Sequence, residues 1–160
     1  MVQGRVVFIT GAASGIGLAI GKAFARQHAK VVLTDIDKNK VQNAASEIED
    51  EGFTCIGVAC DVTNEDAVDD AFAETLRVFG RVDILINNAG MQYVAKLEDF
   101  PTETFEKMTK IMLTAPFSMM KKSSATRRAN GSFCSTSRTV RFSSRFRRRM
   151  TSPISRTIFG

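Results

Sequence analysis

Apolar residues fall along this chain in two alternating rhythms. Continuous runs at residues 5–10 (RVVFIT), 30–35 (KVVLTD), 53–62 (FTCIGVACDV) and 82–90 (VDILINNAG) are short and rich in Val and Ile. Runs of this kind predict strands buried on both faces, the last one leading into a turn. Between them the spacing widens to that of a helix. Residues 18–29 turn Leu18, Phe24 and Ala25 inward and Lys22 and Arg26 outward, and residues 38–52 form a polar-faced helix stopped by Gly52. Residues 63–80 open on Thr63 or Asn64 as a cap, repeat Val68, Phe72, Leu76 and Phe79 three or four apart, and close on Gly80. Residues 101–121 predict a further helix beginning at Pro101.

Strands alternating with helices predict an α/β fold with a parallel sheet. Right-handed crossovers give the strand order 3-2-1-4, an incomplete Rossmann-type doubly wound sheet. No internal repeat is visible.

The pattern is lost after residue 121. Residues 122–160 are rich in Ser, Thr and Arg, with scattered apolar positions, and read as a poorly structured basic tail. Charge marks the same boundary. Residues 1–120 hold 11 Lys+Arg and 17 Asp+Glu (11 − 17 = −6), whereas residues 121–160 hold 11 Lys+Arg and no acid, so the overall +5 averages two unlike segments. Such a reversal points to a polyanion-binding tail or to two segments of unrelated origin.

Three cysteines, Cys55, Cys60 and Cys134, form no C-x-x-C pair, and their odd number argues against a disulfide framework. Cys55 and Cys60 are five apart in one strand and so point to opposite faces. Buried thiols in a reducing compartment fit best. With His28 as the single histidine, no His-based metal cluster is available, and no metal site is expected. The N-terminal residues lack the apolar stretch of a signal peptide and no segment reaches membrane-span length, which together predict a cytoplasmic protein.

The first chemical motif is Thr10-Gly11-Ala12-Ala13-Ser14-Gly15-Ile16-Gly17. It follows a strand and opens a helix, the context in which glycines let the backbone approach a pyrophosphate. The helix N-terminus then offers free N–H groups and a positive dipole. A tight turn needing only flexibility is the plainer reading, and the residues that follow weigh against it. Asp35 ends the second strand, where a carboxylate accepts from both adenosine ribose hydroxyls and repels a 2′-phosphate. Ile36 beside it is not basic, so NAD is expected over NADP; a solvated strand-end acid is the plainer alternative. Asp61-Val62 and Asn87-Asn88-Ala89-Gly90 end the third and fourth strands, the side of an open α/β sheet that binds ligands.

Together these residues resemble the short-chain dehydrogenases/reductases. MVQGRVVFITGAASGIG, LINNAGMQYVA, FPTETFEK and IMLTAPF further resemble the D-3-hydroxybutyrate dehydrogenases within that family, over residues 1–121. The resemblance implies NAD contacts at Gly11, Ser14, Gly15, Ile16, Gly17, Asp35, Ile36, Asp61, Val62, Asn88, Ala89 and Gly90. It also implies that Gln92 binds a substrate carboxylate, an amide donating to an acid; a plain loop glutamine is the other reading. It implies a small hydroxy or keto acid as substrate, and homo-oligomers assembled through residues 101–121.

The same family uses a Ser and a Tyr-x-x-x-Lys, the tyrosine being an acid/base whose pKa must lie near working pH. No residue here is assigned a catalytic role. The chain has one tyrosine, Tyr93, with Lys96 at the wrong spacing. In GSFCSTSRT, where the family has its fifth strand and serine, Ser137 stands one position early and Arg138 takes the serine's place. Met112 replaces a helix asparagine of the family. The cofactor half is present and the catalytic half is missing.

A frame-shifted, prematurely ended dehydrogenase sequence accounts for that break. With TCN serine codons, reading from the third base of Gly131 turns Ser132–Ser135 into apolar codons, as a buried fifth strand requires; AGY serine codons would not. Without that strand, VDILINN becomes an unpaired apolar edge prone to aggregation, and low solubility and stability are expected. Three readings stand: a dehydrogenase by descent that cannot catalyse as written, an NAD-binding module partnering full-length subunits, or a polyanion binder. For the last, Phe133, Phe142 and Phe146 lie among the arginines, but nucleic-acid binding is not expected except through that tail.

Overall fold

A computed structural model describes residues 2–129. The elements follow in the order β1 (Val6–Thr10), α1 (Gly15–Ala25), β2 (Lys30–Asp35), α2 (Lys38–Asp50), β3 (Cys55–Ala59), α3 (Glu65–Phe79) and β4 (Ile84–Ile86). A 3₁₀ turn (Leu97–Asp99) leads into α4 (Thr102–Thr109), a π-helical turn (Lys110–Thr114) and α5 (Ala115–Ala129). The four strands are parallel in the order β3-β2-β1-β4, as expected of a Rossmann-type sheet.

Side-chain alternation along β1 divides the core. Val7 and Ile9 face α1 and α2, where they meet Ala25, Val41, Ala44, Ala45 and Ile48. Val6 and Phe8 face α3 and α5, where they meet Val68, Ala71, Phe72 and Met119. Both faces of the sheet are therefore covered, which is why the strands read as unbroken apolar runs. Phe8 and Phe72 stack with centroids 4.8 Å apart, a pairing worth about 0.5–1.5 kcal/mol beyond area burial. Cys55 lies in the first cluster and Cys60 in the second, on opposite faces.

Local chemistry sets the element ends. The Asn64 side chain caps α3 by accepting from the backbone N–H groups of Asp66 (2.9 Å) and Ala67 (3.2 Å). Gly80 closes the same helix in the left-handed region, at φ +74°. Asp37 caps α2 by accepting from Lys40 N–H. The strands come out shorter than their apolar runs, β3 and β4 most of all, because pairing with the neighbouring strand stops before the apolar residues do.

The C-terminal boundary differs from expectation. The helix does not stop at residue 121. It continues as α5 to Ala129, with Met119 and Ser123 buried and Lys122 paired with Asp69 of α3. Residues 122–129 are thus helical rather than part of a poorly structured tail. Five of these eight residues (Lys122, Ala125, Arg127, Arg128 and Ala129) are good helix formers, and no apolar rhythm announces them. The rest of the expected tail, residues 130–160 with Cys134, Ser137, Arg138 and the three phenylalanines, lies outside the described residues. Among the described residues no strand pairs with the outer edge of β4, and no helix is long and apolar enough to cross a membrane.

Candidate functional site

The strand C-termini meet around one open cavity of about 180 Å³. Gly11 contributes from the turn after β1, Asp35 and Ile36 from the end of β2, Asp61 and Val62 from beyond β3, and Ala89 and Gly90 from beyond β4. Seven of the residues expected at a nucleotide site are thereby brought together. Cys60 and Ile111 also line the cavity, although neither was expected there. Ile111 comes from the π-helical turn, distant in sequence from the strand ends, and no local motif marks it. Cys60 had the plainer signal of lying next to Asp61.

The turn after β1 is shaped by its glycines. Gly11 has φ +61°, and a Cβ on it would lie 2.8 Å from the Cα of Ala89, so only glycine fits. Gly15 has φ +57° but nothing within 4 Å of where its Cβ would stand. The space beside Gly15 at the start of α1 is therefore open. Gly17 is buried against Gly11 and the Asn88 side chain, packing that leaves no room for a Cβ. Ser14, the N-cap of α1, makes no side-chain cap hydrogen bond, and the first turn carries no acid. By contrast Asp37 and Asn64 cap α2 and α3 with their own oxygens. The α1 N-terminus keeps its donors and its positive dipole available to an anion.

Each acid at the cavity is held in place by backbone donors. One Asp35 carboxylate oxygen accepts from Ala13 N–H and the other from Asp37 N–H, both at 3.2 Å. An ionised carboxylate has about four acceptor sites, so capacity for two hydroxyl donors remains. Asp61 accepts from the backbone N–H and the hydroxyl of Thr63, both at 2.8 Å, which fixes the loop after β3. Burial, reinforced by the neighbouring Asp61 charge, raises the Cys60 thiol to about 11. It stays protonated, a wall residue and not a nucleophile. Cys55, on the other face, is raised to about 12, chiefly by burial and secondarily by Glu49.

The remaining expected residues fall elsewhere. Asn88 braces the sheet from within: its side chain donates to the backbone carbonyls of Thr10 (3.0 Å) and Gly11 (2.9 Å). Ile16 at the α1 N-terminus and Ile36 after β2 are exposed to a similar degree (75% and 71%), so two large apolar side chains are left uncovered near the turn after β1 and the β2 end. Gln92 is exposed in the loop after β4 and lines none of the described cavities. Tyr93, also in that loop, packs its ring edge-on against Phe100 at 5.3 Å.

A family model described as short chain dehydrogenase matches residues 5–141. An uncharacterized oxidoreductase of Bacillus subtilis, YxjF, is 47% identical over 117 residues, which is 73% of this chain and 46% of that protein. The D-beta-hydroxybutyrate dehydrogenase of Cupriavidus necator is 36% identical over 120 residues, 73% of this chain and 45% of that protein. The crystal structure of a short-chain type dehydrogenase/reductase from Mycobacterium marinum superposes with a TM-score of 0.77 at 28% identity, covering 81% of this chain and 53% of that one. The match thus spans about half the length of these relatives.

Proposed function

The chain belongs to the short-chain dehydrogenase family, and from that premise we propose that its cavity binds NAD and that its descent is from an enzyme acting on a 3-hydroxy acid such as D-3-hydroxybutyrate. Members of this family generally use NAD(P). The observation that carries the cofactor reading is the meeting of Asp35 and Gly11 in one cavity with Asp61, Val62 and Ile111. The residues fit the group: the open space at Gly15 and the uncapped α1 N-terminus suit a pyrophosphate, and the spare acceptors of Asp35 suit ribose hydroxyls. A 2′-phosphate would meet the Asp35 charge, which favours NAD over NADP. When bound, NAD supplies the hydride acceptor for alcohol oxidation.

The chain's own residues bind and orient but do not move a proton. Oxidising a hydroxyl requires a base near the reacting carbon. The only tyrosine, Tyr93, sits in an exposed loop against Phe100, and no Tyr-x-x-x-Lys occurs in the 160 residues. The 160-residue chain is therefore an NAD-binding module without hydride transfer. Support for the 3-hydroxy acid comes from the sequence segments around the strand ends and from the Cupriavidus relative; Gln92 is the proposed carboxylate contact.

A partner role rests on a separate observation. Phe105, Leu113, Phe117 and Met120 are exposed along α4, the π turn and α5. Such a stripe is normally covered, and a like or full-length subunit is its proposed partner.

Calorimetric titration of the chain with NAD and NADP, beside an assay for NADH formation from D-3-hydroxybutyrate, tests the reading. NAD binding is expected, weakened about tenfold by Asp35→Ala as a lost charge-assisted contact of about 1.5 kcal/mol implies, with no NADH formed. Tighter binding of NADP would overturn the cofactor assignment. Turnover of hydroxybutyrate would overturn the loss of catalysis.

A further inference from the structure

A second cavity, of about 150 Å³, opens between the start of α3 and the helix formed by the π turn and α5. It shares one residue, Val62, with the cavity at the strand ends. Val62, Val68 and Ala115 give it apolar walls, the last two buried. At this size it lies below the range of about 300–1,000 Å³ usual for sites that enclose a drug-sized ligand, so its occupant must be small. Three charged side chains also line it: Glu65 from the first turn of α3, Lys110 from the π turn and Lys122 from α5. Lys122 already pairs with Asp69. Glu65 and Lys110 are exposed, and among the described residues neither side chain has an ion-pair or hydrogen-bond partner, the other included. The hydroxyl residues Thr114 and Ser118 line the cavity too.

One cation and one anion thus face the same apolar hollow without meeting each other. A lone anion would neutralise Lys110 but confront Glu65, and a lone cation would do the reverse. A molecule that carries both charges next to an apolar body satisfies every wall at once. From this juxtaposition we infer that the second cavity binds a small zwitterion, an α-amino acid with a short apolar side chain. Its carboxylate lies against Lys110, with the Thr114 and Ser118 hydroxyls as further donors, its ammonium against Glu65, and its side chain against Val62, Val68 and Ala115. The inference does not depend on the nucleotide reading, since Val62 alone is common to the two cavities.

The test is a backbone-amide NMR titration of the 160-residue chain with L-valine, isovalerate and isobutylamine, the last two being valine without its ammonium and without its carboxylate. Valine is expected to shift the amides of residues 62–68 and 110–118 and to bind at least about threefold more tightly than either analogue, as the loss of one exposed charge contact implies. Glu65→Gln should lower valine affinity to that of isovalerate, and Lys110→Met should lower it to that of isobutylamine. Both side chains are exposed, so neither change threatens the fold. Asp35→Ala, in the other cavity, should leave valine binding unchanged. Isovalerate binding as tightly as valine would reduce the site to a plain anion site and overturn the inference. Valine binding that survives both variants intact, that falls with Asp35→Ala, or that gives no shift at these residues up to the solubility of valine would overturn it as well.

Discussion

Thr10 and Asn88 hold β1 and the end of β4 together through reciprocal hydrogen bonds. The Thr10 hydroxyl oxygen accepts from the backbone N–H groups of Asn88 and Ala89, each at 3.0 Å. The Asn88 side-chain amide donates to the backbone carbonyls of Thr10 (3.0 Å) and Gly11 (2.9 Å). Four bonds thus fix the turn after β1 to the cavity wall formed by Ala89 and Gly90.

Breaking either half of this brace should therefore cost stability and site geometry together. Asn88→Ala and Thr10→Val are each expected to lose about 1–3 kcal/mol, since each leaves part-buried backbone groups without partners. The double variant should lose less than the sum, because both act on one strand junction. Urea denaturation of the three variants reads this directly. Two independent, fully additive losses would mean that the bonds do not work as one brace.

The two positive-φ glycines of the turn should respond differently to a methyl group. At Gly11 the added Cβ collides with Ala89 backbone as well as meeting the wrong φ, so Gly11→Ala should unfold or strongly destabilise the chain. At Gly15 only the left-handed backbone is penalised, by about 1–2 kcal/mol. Gly15→Asn should recover part of that loss, because asparagine tolerates the left-handed region. It should not recover nucleotide binding if the open space at Gly15 is where phosphates lie. Thermal melts paired with NAD titration separate the two effects, and normal binding by Gly15→Asn would place the phosphates elsewhere.

Much of this architecture was legible from local pattern. The unbroken Val/Ile runs identify the strands because both sheet faces are covered, and Asn64 and Gly80 mark the ends of α3 by their own cap chemistry. The sequence also reveals Asp35 as the β2 terminus and, with Asp61, as one of the two acids of the cavity. What it hides is tertiary. Ile111 reaches the cavity from a π turn that interrupts the helix, and nothing in KIMLT announces a change of winding. Asn88 reads as a ligand contact from its motif, yet its side chain is directed to backbone carbonyls of β1 and the following turn. The extension of α5 past residue 121 is hidden for the opposite reason: its residues favour a helix while their composition resembles that of a tail.

Asp83 links the sheet to acid. Burial pushes its carboxyl upward, but the Val6 N–H bond (2.9 Å) and the hydrogen bonds from Arg81 and Arg5 outweigh it, so its pKa lies below the ordinary carboxylate value. A depressed carboxylate stabilises the fold above its unfolded pKa, near 3.9 in model peptides, and that contribution is lost as pH falls through the lower folded value. Melting temperature should therefore fall as the medium becomes acidic from about pH 5 downward. Asp83→Asn keeps an oxygen for Val6 but no charge for the arginines. It should be less stable near neutrality and show a flatter acid limb. An unchanged acid limb in that variant would assign the acid sensitivity to other carboxylates.

Helix α5 offers a choice between charge and packing as its anchor. Lys122 pairs with Asp69, whose side chain is 60% exposed. An ion pair so open to water contributes about 0–1 kcal/mol. Met119 is fully enclosed by the cluster that contains Phe8, Phe72 and Val82. Truncating a buried methionine to alanine costs about 2–5 kcal/mol, because the cavity left behind closes only in part. Met119→Ala should accordingly destabilise the chain severalfold more than Lys122→Ala, and high salt should leave the Met119 effect unchanged while reducing the smaller one. Chemical denaturation at low and high salt provides the comparison. If Lys122→Ala proves as damaging as Met119→Ala, the charge reversal at residue 121 would itself be holding the helix to α3, and the basic segment would have a structural role that packing alone does not give it.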